Sequence, residues 1–330
     1  MLMATAELSD LPEGRVLLVK TFEDFTKMPG DSWMSVGIRD YLTSCLRAAD
    51  SLRVVSGTTA NAQITSGGAD FTVEGKFQHL GENLRVFINL TDGSGTLLKQ
   101  FALTFPYPDN KEFFTKLAEA ATQILGIADS KFDQKIIDAV RDATASTRAF
   151  ESYIKGREEL RKYTPSILAP AKRWFDDVKR IDYRSPLGYE GIIDLHTFLG
   201  FYNRQNGLPF ASHFQAAQQE LVEMLRLAKP APLFMSRKKS KVTAKPKSQD
   251  LKIENKFILN NIAYLEAMTA LDAGQNEESI NAFKRAVAFL PEDPISWYYI
   301  ALLEGRKKNT AEADQAMSKA RLLNPCIRRP

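Results

Sequence analysis

The chain has 330 residues, of which 44% are hydrophobic and 25% charged, and its formal net charge is +4. That length has room for two domains with their own cores, and so small a positive excess does not by itself point to nucleic acid or to an anionic membrane. Cys45 and Cys326 stand far apart and match no metal-ligand spacing, and no apolar run reaches the roughly 18 residues that cross a bilayer.

The opening Met1-Leu2-Met3-Ala4-Thr5-Ala6-Glu7 lacks the basic and apolar blocks of a secretory signal. Two expectations follow. The protein is cytoplasmic if Met1 is the true start, and periplasmic or envelope-bound if the chain is cut from a longer exported one. Arg15–Phe22 is a short apolar run that predicts a buried strand. Asp31 or Ser32 can cap the next helix, with Met34, Ile38, Leu42, Cys45 and Leu46 as its apolar stripe. Leu52–Val55 predicts a second strand, and Phe71–Gln78, Asn83–Leu90 and Thr96–Phe105 predict three antiparallel ones. Gly81-Glu82 and Asp92-Gly93-Ser94-Gly95 serve as their hairpin turns. Phe113, Leu117, Ala120, Ala121, Ile124 and Leu125 mark a closing amphipathic helix. This order predicts a mixed-sheet α/β sandwich over residues 13–128.

Val16–Val19 with Phe22, the Gly37–Leu42 helix, Leu52–Val55, Val73-Glu74-Gly75, Gly81–Val86 and Leu90-Thr91-Asp92 with Gly95 resemble the TolB amino-terminal and FlgO-like domain of bacterial envelope proteins. Ala149–Arg157 resembles the usual start of a helical second part. The whole layout is similar to the periplasmic portion of CadC-like membrane regulators. The resemblance implies an exported, non-catalytic module and carries no catalytic residue to this chain.

Residues 253–325 hold one helix-pair pattern twice, 34 residues apart. Phe283, Ala286 and Pro291 reappear as Met317, Ala320 and Pro325, with Ala267 and Gly274 in the first copy and Trp297, Ile300, Ala301 and Ala313 in the second. A period of 34 predicts stacked antiparallel helices in an all-α solenoid, and the pattern resembles the tetratricopeptide repeat. Ala171, Phe175, Val178 and Tyr183, then Tyr189, Ile192 and Ile193, then Ala217, Leu221 and Met224, extend it backward in irregular form over residues 146–230. A generic helical bundle is the alternative there. Between the two stretches, residues 231–252 include Arg237–Lys247, with six basic residues and no acid. They predict a flexible linker, without the interleaved aromatic rings that base stacking needs.

Carrying the repeat's inward positions onto this chain gives Asn261, Tyr264, Met268, Leu271 and Asp272 in one copy and Ile295, Tyr298, Leu302, Gly305 and Arg306 in the next. Tyr264 and Met268 stand where repeats that clamp a peptide carboxylate need lysine and asparagine. The expected partner is therefore a hydrophobic peptide or helix in the groove. The alternative is that these side chains pack against the rest of the chain.

No phosphate-cradling glycine motif follows a strand, no nucleophile elbow occurs, and His79, His196 and His213 are isolated in sequence. His196, on an apolar helix, reads as a core histidine. No enzyme activity, cofactor or metal is expected, and nucleic acid is not an expected partner. The leading expectation is a non-enzymatic protein–protein scaffold or assembly factor of the bacterial cell envelope. Its rivals are a sensor ectodomain with a small ligand at the domain seam, and a cytoplasmic tetratricopeptide adaptor.

Overall fold

The computed structural model describes residues 15–28, 30–56, 68–107, 111–129, 131–162, 164–228, 256–291, 293–324 and 327. The basic stretch 231–252 lies outside them.

Six strands form one mixed sheet: β1 (Arg15–Val19), β2 (Glu23–Asp24), β3 (Leu52–Ser56), β4 (Phe71–Leu80), β5 (Asn83–Asp92) and β6 (Leu97–Pro106). The order is β3-β1-β4-β5-β6, with β2 paired to the far end of β4. β1 runs parallel to β3 and β4, whereas β4, β5 and β6 form an antiparallel meander. The predicted first strand stops at Val19 because Phe22 turns inward over Gly75 of β4. A Cβ at Gly75 would stand 2.4 Å from the Phe22 ring and 2.1 Å from the Phe87 carbonyl oxygen, so only glycine fits.

Side chains alternate across the pleat, so register decides which face is apolar. Val73 pairs with Leu90, Phe77 with Val86, Ile88 with Phe101 and Leu84 with Phe105, which places these apolar groups on one face. Leu84, Val86, Ile88 and Leu90 have no exposed surface. Helices α1 (Ser32–Leu46) and α2 (Glu112–Ala128) lie side by side over that face. Helix α3 (Gln134–Arg141), absent from the sequence reading, is capped by the Asp133 carboxylate and packs on both. No helix among the described residues covers the opposite face. That face shows Thr72, Glu74, Phe87 and Asn89 half-buried and Lys76, Gln100, Ala102 and Thr104 exposed.

Among the described residues eight further helices pack as four consecutive hairpins: α4 (Thr147–Leu160) with α5 (Leu168–Ile181), α6 (Pro186–Gln205) with α7 (Ala211–Ala228), α8 (Lys256–Asp272) with α9 (Asn276–Phe289), and α10 (Pro294–Arg306) with α11 (Thr310–Leu323). Helix starts are set by local chemistry. Ser146 caps α4, Ser185 caps α6 ahead of Pro186, and Asp293 caps α10 ahead of Pro294. A side-chain oxygen there accepts from otherwise unpaired backbone N–H groups, and proline at the first helical position lacks an N–H that would go unused. Between α4, α5 and α6 the Phe175 ring is fully buried against Gly156 and Gly191.

The α/β part and the helical part share one hydrophobic core. Phe150 of α4 joins them: its ring centroid lies 6.1 Å from Trp33, 6.0 Å from Tyr41 and 5.5 Å from Phe114 on the sheet side, and 6.3 Å from Tyr153 on the helical side. The edge-on contacts with Trp33, Tyr41 and Phe114 add to plain burial, and Tyr153 stacks on the ring.

Candidate functional site

Of the inward residues predicted to bind a partner, Asn261, Tyr264, Met268, Leu271, Ile295 and Tyr298 are buried. Leu302 is half-buried, and Asp272, Gly305 and Arg306 are exposed. The expected open groove is filled by the chain's own α6, and the reason is length. Ser185-Pro186 and Asp293-Pro294 start α6 and α10 in the same way, yet α6 has 20 residues and α10 has 13. The additional turns carry Phe201 and Arg204 across the last two hairpins. Phe201 lies edge-on to Tyr298 at 5.1 Å and to Tyr299 at 5.9 Å. Arg204 reaches to 5.7 Å from the Tyr299 ring and to 3.6 Å from the Asp272 carboxylate. Beneath them Tyr299 stacks on Phe283 at 4.9 Å, with Tyr264 edge-on to Phe283 at 5.6 Å. Burial pushes the Tyr264 and Tyr299 hydroxyls above their ordinary range. These tyrosines are core groups.

The first two hairpins present a different inner face. Carrying the α10 register onto α6 puts Glu190 at the position of Tyr298 and Asp194 at that of Leu302. Tyr153 donates from its hydroxyl to Glu190 Oε1 at 2.9 Å, Arg157 pairs with Asp194, and Arg161 pairs with Asp40 of α1. Arg39 also binds Asp40, at 2.7 Å, and its Nη1 donates to Thr21 at 3.1 Å. Glu190 is 1% exposed. Burial, reinforced by the nearby Asp194 charge, pushes its carboxyl up to about 7, while Arg157 and the Tyr153 hydroxyl act in the opposite sense. Asp40 goes the other way: burial alone would raise it, but Arg161 and Arg39 outweigh burial and hold it below the usual carboxylate range. The cluster ties α1 of the α/β part to α4 and α6. Sequence reading missed it because repeat positions were mapped only onto the two regular copies; the shared start of α6 and α10 was the available signal.

On the uncovered face of the sheet lies a shallow depression of about 450 Å³ beside the β5–β6 turn, lined by Leu18, Lys20, Thr72, Glu74, Thr91 and Gly95 among others. Lys20 and Glu74 pair at 2.8 Å on its wall. Leu97 and Leu98 are exposed at the start of β6 after this turn, and Phe25, Met28 and Leu80 are exposed toward the other end of the strands. The outer edge of β6 pairs with no strand among the described residues. The remaining histidines are not isolated in space: His79 Nε2 lies 2.6 Å from Asp31, and His196 faces His213. No helix among the described residues is long and apolar enough to cross a membrane.

These features define a mixed-sheet α/β unit fused through a shared core to a set of helical hairpins. No family model matches the chain, and no curated protein matches it. Among solved structures, a chain of the PelC dodecamer from Paraburkholderia phytofirmans aligns with 40% of this chain and 90% of its own length, at 17% identity and a TM-score of 0.23. At that score the likeness carries no functional weight.

Proposed function

We propose that this protein is a non-enzymatic scaffold or assembly factor of the bacterial cell envelope, built from a TolB/FlgO-like α/β domain and tetratricopeptide-type hairpins. The observation that carries the scaffold reading is the one-sided cover of the sheet. Among the described residues two helices bury one face and none covers the other, beside the ten-residue β6, whose outer edge offers backbone donors and acceptors. An edge of this kind takes an added strand from a partner, and the exposed Leu97 and Leu98 at the start of β6 supply apolar contact along it. The groove of the last two hairpins, crossed by α6, retains Asp272, Leu302, Gly305 and Arg306 for contact along its inward positions. The envelope assignment rests on the sequence resemblance of residues 13–128 alone.

Photo-crosslinking in cells tests this reading, with the crosslinker at Ala102 of the β6 edge or at Arg306 of the groove. Adducts to a defined protein from Ala102, lost when Leu98→Glu is combined with Thr104→Glu, support the scaffold and its sheet surface. Adducts from Arg306 alone return the contact to the hairpins. A chain that forms no adduct from either position is not a scaffold of this design.

A further inference from the structure

His196 of α6 and His213 of α7 face one another across the second hairpin, with Nδ1 atoms 3.1 Å apart and ring centroids 5.4 Å apart. The connecting turn fixes this approach. Gly207 takes φ +67°, the Leu208 N–H donates to the Asn203 carbonyl at 2.8 Å, and Asn203 Nδ2 donates to the Pro209 carbonyl at 2.8 Å. The His213 N–H then donates to the Phe210 carbonyl at 3.0 Å, which starts α7 with its histidine turned toward α6. Both rings are only partly covered, so water reaches the pair. Burial holds both imidazoles below their ordinary pKa, and His213 adds to the effect on His196. A hydrogen bond between the two Nδ1 atoms needs one of them as acceptor, so at least one ring is in the neutral form that binds metals.

A small reorientation of the rings suits one metal ion. Two nitrogens 3.1 Å apart subtend roughly 100° at an ion about 2.0–2.1 Å from each, between octahedral and tetrahedral values. With centroids 5.4 Å apart the rings face along the N–N line, so each tilts by roughly 40° to aim its lone pair at the ion. Glu220 lends negative charge to this end of the hairpin while held by Lys179 at 2.8 Å, and Lys172 opposes it. Among the described residues no third histidine, cysteine or carboxylate completes a cluster, so water supplies the other ligands.

We propose that His196 and His213 form a two-histidine site for a divalent transition metal of borderline softness, zinc, nickel or copper, which cross-links α6 to α7. Magnesium and calcium, which prefer oxygen ligands, do not bind there. In the metal-free pair one Nδ1 donates its proton to the other. Coordination needs both Nδ1 lone pairs, so that proton moves to Nε2 of the same ring, and neutral imidazoles bind without net proton release. The metal also clamps the hairpin whose first helix fills the repeat groove.

The test uses the untagged full chain, stripped with chelator, in calorimetric titrations with zinc chloride, nickel chloride and magnesium chloride. One equivalent of zinc or nickel should bind and raise the melting temperature, with no heat from magnesium. His196→Gln and His213→Gln should each weaken binding about tenfold or more. His79→Gln should leave it unchanged, since that histidine pairs with Asp31 elsewhere. If a variant folds poorly, imidazole nitrogen NMR of the unmodified chain decides: zinc should move the Nδ1 resonances of two histidines and spare the third. No binding at about millimolar metal, or binding retained by the double variant, overturns the proposal.

Discussion

Gly274 and Lys308 stand 34 residues apart and share one backbone conformation, with φ +75° and +64°. The match extends to the hydrogen bonds around them. Gly274 N–H donates to the Leu271 carbonyl and Gln275 N–H to that of Ala270; Lys308 N–H donates to the Gly305 carbonyl and Asn309 N–H to that of Glu304. The same helix ending thus recurs one period later, with a glycine in one copy and a lysine in the other. A residue with a Cβ pays about 1 kcal/mol or more in the left-handed region.

Lys308→Gly is therefore expected to stabilise the protein by about 0.5–1 kcal/mol, and Gly274→Ala to destabilise it by about 1 kcal/mol. Urea denaturation of both variants measures this. A stability loss in Lys308→Gly would mean that contacts of the lysine outweigh its backbone strain.

A second pair of substitutions separates packing from helix propensity. Glycine to alanine inside a helix ordinarily gains about 1 kcal/mol. At Gly191 the new Cβ would stand 2.2 Å from the Phe175 ring, whereas at Gly126 nothing lies within 4 Å. Overpacking costs about 1–3 kcal/mol, so Gly191→Ala should come out destabilised by about 1–2 kcal/mol and Gly126→Ala stabilised by up to about 1 kcal/mol. The sign of the difference in denaturation midpoint is the readout.

What could be read from the sequence follows from how local each signal is. The strands and turns of the meander were legible because alternation and Gly81 or Gly95 are local, and their ends shift by only one or two residues. Gly274 marked its turn in the same way, while Lys308 gave no such sign because its residue type hides its φ. The filled groove was not legible, since it depends on how far α6 runs past its equivalent in the last hairpin and on what Phe201 then meets. Nor was the pairing of His196 with His213, which a turn sets across the second hairpin. Nothing in the sequence singles out Asp40, Arg157, Glu190 and Asp194; only the packing of α1 and α6 against α4 brings them together.

Glu190 makes stability depend on pH in a defined direction. Its carboxyl is raised in the folded state to about 7 from an unfolded value of 4.5. The folded protein thus holds a proton that the unfolded chain releases, and stability falls as pH rises from about 4.5 to 7. The expected loss is about 1–3 kcal/mol across that window. Glu190→Gln keeps an acceptor for the Tyr153 hydroxyl and removes the titration. It should match the parent near pH 4.5, exceed it at pH 8, and flatten the profile between them. A variant that loses stability at pH 8 would show that the Glu190 charge is offset by Arg157.

The joint between the α/β and helical parts can be opened in two steps of different physical kind. Phe150→Ala removes the ring, 5% exposed, that meets Trp33, Tyr41 and Phe114, and a cavity of that kind costs about 3–5 kcal/mol. Asp40→Asn leaves the Arg39 side chain, 8% exposed, without its carboxylate, at about 1–3 kcal/mol after discounting for the more exposed Arg161. Because one continuous core now links the parts, the parent chain should melt in a single calorimetric transition. Phe150→Ala should split that transition in two, with the sheet and the hairpins melting apart, whereas Asp40→Asn should lower it without splitting it. A single unsplit transition in Phe150→Ala would show that the remaining contacts of α1 with α4 couple the two parts without the ring.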